Sequence, residues 1–210
     1  DMAHEIDAAT RVGCSVFTVS EKVFKAVADT RSPQGIALIA DRPEFESSRF
    51  ATLRIDSGFV IYLHEINNPN NLGAVLRSAE AAGCEGVITS PGSADPFSPK
   101  ALRASMGSAF RMPIWAGVRV DEAFELANSY KMVPTAIDLE GGLSYIEADL
   151  KRPRLLMFGS EAHGLPEEIL IHRGLEMITI PMATPVESLN LAASAAVVMF
   201  EARRQIGSRN

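Results

Sequence analysis

Five short apolar runs alternate with helical patterns along most of this chain. They are F-V-I-Y-L (59–63), G-V-I-T (86–89), K-M-V-P-T-A-I (131–137), R-L-L-M-F (154–158) and E-M-I-T-I (176–180). Runs this short, without polar alternation, are the pattern of strands buried on both faces. Between and after them, helical spacing covers 71–82, 99–104, 121–130, 166–172 and 188–205. A strand–helix alternation of this kind predicts an α/β fold, a mostly parallel sheet flanked by helices.

Residues 1–50 read differently: a helix at 19–30, a turn at 31–34, a strand at 35–40 and a charged, Ser-containing segment at 41–49. That is too little to bury a core alone. The expected organisation is an N-terminal extension, 1–50, followed by a main domain, 51–210.

With 47% hydrophobic and 22% charged residues the 210-residue chain has ordinary globular composition. It has no apolar run of membrane-spanning length and no opening signal pattern, so a cytoplasmic protein without membrane attachment is expected. It begins at Asp1 rather than Met, which leaves room for a preceding segment. Cys14 and Cys84 lie far apart and form no metal-ligand spacing, so buried thiols and no metal are expected. The net charge of -6 argues against a broad basic surface but not against a local patch.

Four stretches carry candidate chemistry. In N-L-G-A-V-L-R (71–77), Leu72, Val75, Leu76 and Ala79 form the buried stripe of a helix capped by Asn71, and Arg77 points away from it. So near a helix start, a cation opposes the macrodipole, and either Glu80 neutralises it or an anionic or polar ligand meets it there. In F-G-S-E-A-H-G-L (158–165), a strand runs into a Gly159/Gly164 loop before a Pro166 helix start, putting Glu161 at a strand's carboxyl end, where α/β sheets bind ligands. The loop has neither a nucleotide-binding glycine pattern nor a nucleophile elbow, and His163 reads as a surface residue.

In I-P-M-A-T-P-V-E-S-L-N-L-A (180–192), a strand exit leads to a long helix beginning near Ser188, where Ser188 and Asn190 are caps or ligand donors. In 89–114, Ser98 caps a helix with Pro99 at its first position, and Lys100 and Arg103 share a face with Arg111 nearby. Such a face is either solvated or meets phosphate.

Taken in order, the first three stretches, with R-A-S-M-G-S-A-F-R-M-P-I (103–114), resemble the motifs of the SpoU (TrmH) family of RNA ribose 2'-O-methyltransferases. The resemblance covers about 59–205. It implies the SPOUT fold with a C-terminal trefoil knot, which general topology rules disfavour. It further implies a homodimer with the catalytic pocket at the subunit interface, S-adenosylmethionine as cofactor, and RNA, ribosomal or transfer, as substrate.

By the same resemblance, Gly159, Ile180 and Leu189 contact the methyl donor, with Thr89, Ser90, Gly164 and Met182 as neighbours. Arg77 is the catalytic arginine, surrounded by Asn71, Glu161, Ser188 and Asn190, while Lys100, Arg103 and Arg111 are expected to meet RNA. V-S-E-K-V-F-K-A-V-A-D-T-R-S-P-Q-G-I-A-L-I-A (19–40) is similar to the tail of the RNA-recognition domain preceding the methyltransferase domain in many of these enzymes, which tilts the expectation toward ribosomal RNA. The competing readings are a catalytically silent RNA-binding or assembly module on the same fold and an α/β enzyme acting on another small substrate.

Overall fold

In the computed structural model, residues 2–28, 33, 35–42, 55, 58–139, 141–183 and 188–207 are described. The chain divides into two units, Asp1–Arg42 and Pro43–Asn210, a boundary slightly earlier than the sequence placed it. The first unit contains α1 (Met2–Arg11) and α2 (Glu21–Val27). The Ser20 side chain caps α2 by accepting from the Val23 amide, and α2 buries no residue. The strand expected at 35–40 is not formed: residues 36–40 have no regular structure and are exposed, and among the described residues no strand pairs with them. Most of the turn at 31–34 and all of 43–49 lie outside the described residues.

The second unit is built on a sheet in which the order β3-β2-β1-β6-β4-β7-β5 is parallel throughout. Its elements in chain order are β1 (Phe59–Leu63), α3 (Pro69–Ala82), β2 (Gly86–Thr89), α4 (Pro99–Ser105), α5 (Ser108–Arg111), β3 (Ile114–Ala116), α6 (Val120–Ser129) and β4 (Val133–Ile137). There follow β5 (Leu143–Ser144), β6 (Arg154–Phe158), α7 (Glu167–Leu170), β7 (Glu176–Thr179) and α8 (Leu191–Gly207).

The central strands β1, β2 and β6 are buried along their whole length, as their unbroken apolar runs require. Side chains of β1 alternate between two cores. Phe59, Ile61 and Leu63 pack with Leu72, Val75 and Leu76 of α3 and with Ala195 and Val198 of α8. Val60 and Tyr62 pack with Ala123 and Phe124 of α6 and with Ile169 of α7. Each buried aliphatic chain contributes about 1.5–3 kcal/mol of hydrophobic stabilisation.

The helix α3 starts earlier than expected. Asn68, not Asn71, is its N-cap, accepting from the Asn70 amide, with Pro69 at the first position; Gly83 ends it in the left-handed region. Arg77 is therefore the ninth of 14 residues, beyond the first turn, where the macrodipole acts most strongly. The expected dipole conflict disappears. Gly73 lets α3 approach α4 closely, since a Cβ there would lie 2.5 Å from the Ala101 carbonyl oxygen.

Two buried polar groups tie the C-terminal part together. Arg154, fully buried at the start of β6, donates to Thr135 Oγ1 (2.8 Å) on β4 and pairs with Glu176 (2.5 Å) on β7. Gln205 of α8 accepts from the Leu150 amide (2.9 Å) and donates to the Ala148 carbonyl (3.0 Å), fastening α8 to the β5–β6 connection. Cys84 is buried as expected, with its thiol pushed up to about 12 by burial, whereas Cys14 is exposed.

Candidate active site

The chain leaves β1 through α3 on one face of the sheet and leaves the adjacent β6 through α7 on the other. Neighbouring strands whose connections depart to opposite faces open a crevice at their carboxyl ends, the usual ligand position in an open α/β sheet. Asn71, from the first turn of α3, and Glu161, from the loop after β6, meet there.

The Asn71 amide donates to Glu161 Oε1 at 2.5 Å. Asn190 Nδ2 lies 3.3 Å from both Asn71 Oδ1 and Glu161 Oε1. Asn190 is held in place because its own Oδ1 accepts from the Ala192 amide (3.0 Å) and its carbonyl from Ser194. Asn190 therefore caps α8, the role expected of Ser188, and the helix begins at Leu191.

A cavity of about 650 Å³ extends from this cluster beneath the carboxyl ends of β6, β4 and β7. Gly159, Gly164, Ile180, Met182, Ser188 and Leu189 line it, as do Glu161 and Asn190. The loop from Gly159 is tightly closed: Ser160 and Gly164 exchange backbone hydrogen bonds at 3.0 and 2.9 Å, and the His163 amide donates to Ser160 Oγ. A Cβ on Gly159 would lie 2.0 Å from the Gly164 carbonyl carbon, and Gly164 itself has φ +66. Both glycines are required by the backbone path. His163 is exposed, as expected, yet it also lines the cavity.

Other expected site residues lie elsewhere. Thr89 and Ser90 are buried and are not among the cavity's lining residues; Ser90 Oγ accepts from the Glu65 amide (2.8 Å), shaping the turn that leads to α3. Six residues along a helix amount to roughly 9 Å of rise and roughly 120° of rotation, so Arg77 sits on a different face of α3 from Asn71. It is exposed and does not line the cavity. Glu80 does not neutralise it: Glu80 forms a two-point ion pair with Arg111 (2.5 and 2.8 Å). The hydrogen bonds from Arg111 hold the Glu80 carboxyl at about 2. Lys100 and Arg103 are exposed on α4.

Asp138, Leu139 and Leu170 also line the cavity and were missed in the sequence. The signal was present for Asp138, the first residue beyond the carboxyl end of β4, where ligand contacts concentrate. Among the described residues no group of His, Cys, Asp or Glu is arranged to hold a metal, and no helix is long and apolar enough to cross a membrane.

Residues 58–200 match the model of the SpoU rRNA methylase family. The chain is 33% identical over 192 residues to the 23S rRNA (guanosine(2553)-2'-O)-methyltransferase RlmP of Bacillus subtilis, covering 91% of this chain and 73% of that protein. The AdoMet-bound rRNA methyltransferase of Sinorhizobium meliloti superposes with a TM-score of 0.81 at 29% identity, covering 98% of this chain and 78% of that one. A structure concerned with 2-OH methylation on tRNA superposes with a TM-score of 0.65 at 32% identity, covering 73% of this chain and 99% of that one.

Proposed function

The chain belongs to the SpoU rRNA methylase family, and we propose on that premise that it methylates a ribose 2'-hydroxyl of structured RNA using S-adenosylmethionine. The observation that carries this reading is the Asn71–Glu161–Asn190 cluster at the mouth of the switch-point cavity. The cavity's volume of about 650 Å³ falls in the range of small-molecule and cofactor sites. Its wall combines apolar side chains from Ile180, Met182 and Leu189 with the carboxylates of Asp138 and Glu161, a lining suited to a nucleoside that bears a cation. Ribosomal RNA is favoured because relatives such as the Bacillus subtilis protein act on it.

When bound, the cofactor would supply a methyl group on positively charged sulfur; the 2'-oxygen would take that methyl, leaving the sulfur as a neutral thioether, and its proton would pass to solvent. Glu161, held by two amides, fixes the mouth of the site. The Arg77 guanidinium stabilises negative charge developing on the attacking oxygen. Within one chain Arg77 stands apart from the cluster, so the reading includes a homodimer whose interface completes the pocket. The exposed Phe200 of α8 and the exposed Leu189 just before the start of α8 supply apolar surface for such an interface. The strand order, in which β6 and β7 enter beside earlier strands, fits the knotted C-terminal passage implied by the family.

The test is incubation of the protein with ribosomal and transfer RNA and labelled methyl donor. The expected product is a ribose methyl that blocks alkaline cleavage at one nucleotide, lost in Arg77→Ala although donor binding persists. Donor and RNA binding without transfer by the wild type would instead indicate a silent RNA-binding module.

A further inference from the structure

Asp138 is a carboxylate on the cavity wall that no motif accounts for. It follows β4, and its amide donates to the Ile178 carbonyl of β7 at 3.0 Å, which fixes the residue between two walls of the cavity. One wall is the loop from Gly159 after β6; the other is the segment from Ile180 to Met182 after β7. Asp138 is partly buried, with the apolar Ile137 and Leu139 on either side of it in the chain also lining the cavity.

Sheet order sets its distance from the chemistry. The Asn71–Glu161–Asn190 cluster stands over the β1/β6 crevice, whereas β4 is two strand spacings, about 10 Å, from β1. A methyl group delivered near the cluster is carried on a sulfur joined to the 5' carbon of a nucleoside. With the sulfur at the cluster, a nucleoside lying along the cavity would reach the residues that follow β4 and β7, which line it.

We propose that the Asp138 carboxylate accepts hydrogen bonds from the ribose hydroxyls of the methyl donor and thereby selects a nucleoside cofactor with an intact diol. The proposal rests on the methyl-donor reading given above. The chemistry matches: an ionised carboxylate is an acceptor with two oxygens, and a vicinal diol presents two adjacent O–H donors. A carboxylate near the end of a parallel strand takes the same part for ribose in dinucleotide folds. Ile137, Leu139 and Ile180 then provide apolar surface for the base.

The test is calorimetric and needs no turnover. S-adenosylmethionine, S-adenosylhomocysteine and 5'-methylthioadenosine are titrated into wild type, Asp138→Asn and Asp138→Ala, together with the 2'-deoxy and 3'-deoxy forms of 5'-methylthioadenosine. The expected result is that Asp138→Ala weakens all three ribose ligands by a similar factor, roughly 10- to 100-fold. At least one deoxy ligand binds wild type correspondingly weakly and loses little more in the variant. The deoxy ligands probe the unmutated protein, so a poorly folding variant does not blunt the test.

Loss confined to the two amino-acid-bearing ligands would place the carboxylate at the α-ammonium group and overturn the proposal, as would undiminished binding of both deoxy forms by wild type. Failure of wild type to bind any of the ligands would overturn the methyl-donor reading itself, a result distinguishable from the other two.

Discussion

Asn71 and Glu161 lie 90 residues apart in the chain, yet the amide of the first donates to the carboxylate of the second at 2.5 Å. The bond joins the helix after β1 to the loop after β6 and closes the crevice between them. Replacing Asn71 by Asp turns the donor into a second carboxylate facing the first. Two carboxylates sharing a site raise the proton affinity of one. The folded form of Asn71→Asp then gains by binding a proton, so its deficit is largest at neutral pH and shrinks as pH falls toward 5. Melting temperatures at pH 8 and pH 5 check this: the gap from wild type should narrow at the lower pH, and a constant gap would sink the idea. Methyl transfer at neutral pH should fall at least roughly tenfold, the scale of one lost charge-assisted hydrogen bond.

Gly159 and Gly73 are fixed by space rather than by conformation. A Cβ on Gly159 would lie 2.0 Å from the backbone of Gly164, and one on Gly73 would lie 2.5 Å from the Ala101 carbonyl oxygen. Both neighbours are main chain, so neither gives way by rotating a side chain. Each Ala variant should lose about 1–3 kcal/mol or more in urea unfolding. They should differ in function: Gly159→Ala deforms a cavity wall and weakens donor binding, whereas Gly73→Ala parts α3 from α4 and leaves donor affinity nearer wild type. Equal donor affinities in the two variants would show that the Gly159 loop does not shape the site.

The parallel sheet was legible because its central strands are buried on both faces and therefore appear as unbroken apolar runs. Leu72, Val75, Leu76 and Ala79 were legible as a buried stripe for the same reason, and all four are fully buried. The edge strands β3 and β5 have only three and two residues, too short to carry a period. At 35–40 the composition favours a strand, but among the described residues no strand offers its backbone groups a ladder to join. Within the site, glycine and carboxylate positions could be read from the loop after β6. The Glu80–Arg111 pair could not, because partners 31 residues apart are set by the packing of α5 against α3. Arg77 shows the same limit: its position was judged from Asn71, while the cap is Asn68.

The Glu80–Arg111 pair predicts a pH dependence. Hydrogen bonds from Arg111 lower the folded-state Glu80 carboxyl to about 2 from an ordinary value near 4.5. A depressed carboxyl contributes stability that is present above the unfolded value and is lost as pH falls through the folded one. Wild type should therefore exceed Glu80→Gln in stability above about pH 5, with the difference fading toward about pH 2. Because the Arg111 side chain is 59% exposed, the difference should be small and should diminish in high salt. Urea midpoints across that pH range, at two salt concentrations, are the measurement. A difference that persists unchanged at pH 2 would mean that Glu80 stabilises by packing rather than by charge.

The same pair separates cations that sequence alone groups together. Lys100 is exposed on α4, whereas Arg111 already hydrogen-bonds a carboxylate at two points. A cation that meets an RNA phosphate displaces counterions, so its removal lowers the slope of log affinity against log salt by about one. Lys100→Ala should produce that change and weaken binding about equally across RNA sequences, while Arg111→Ala should change the slope by less than half as much. Glu80→Gln releases Arg111 and should raise both RNA affinity and the slope. These outcomes follow if the pair survives RNA binding. An Arg111→Ala effect as large as that of Lys100→Ala would show instead that the pair opens on the substrate and that Glu80 restrains the arginine until RNA arrives.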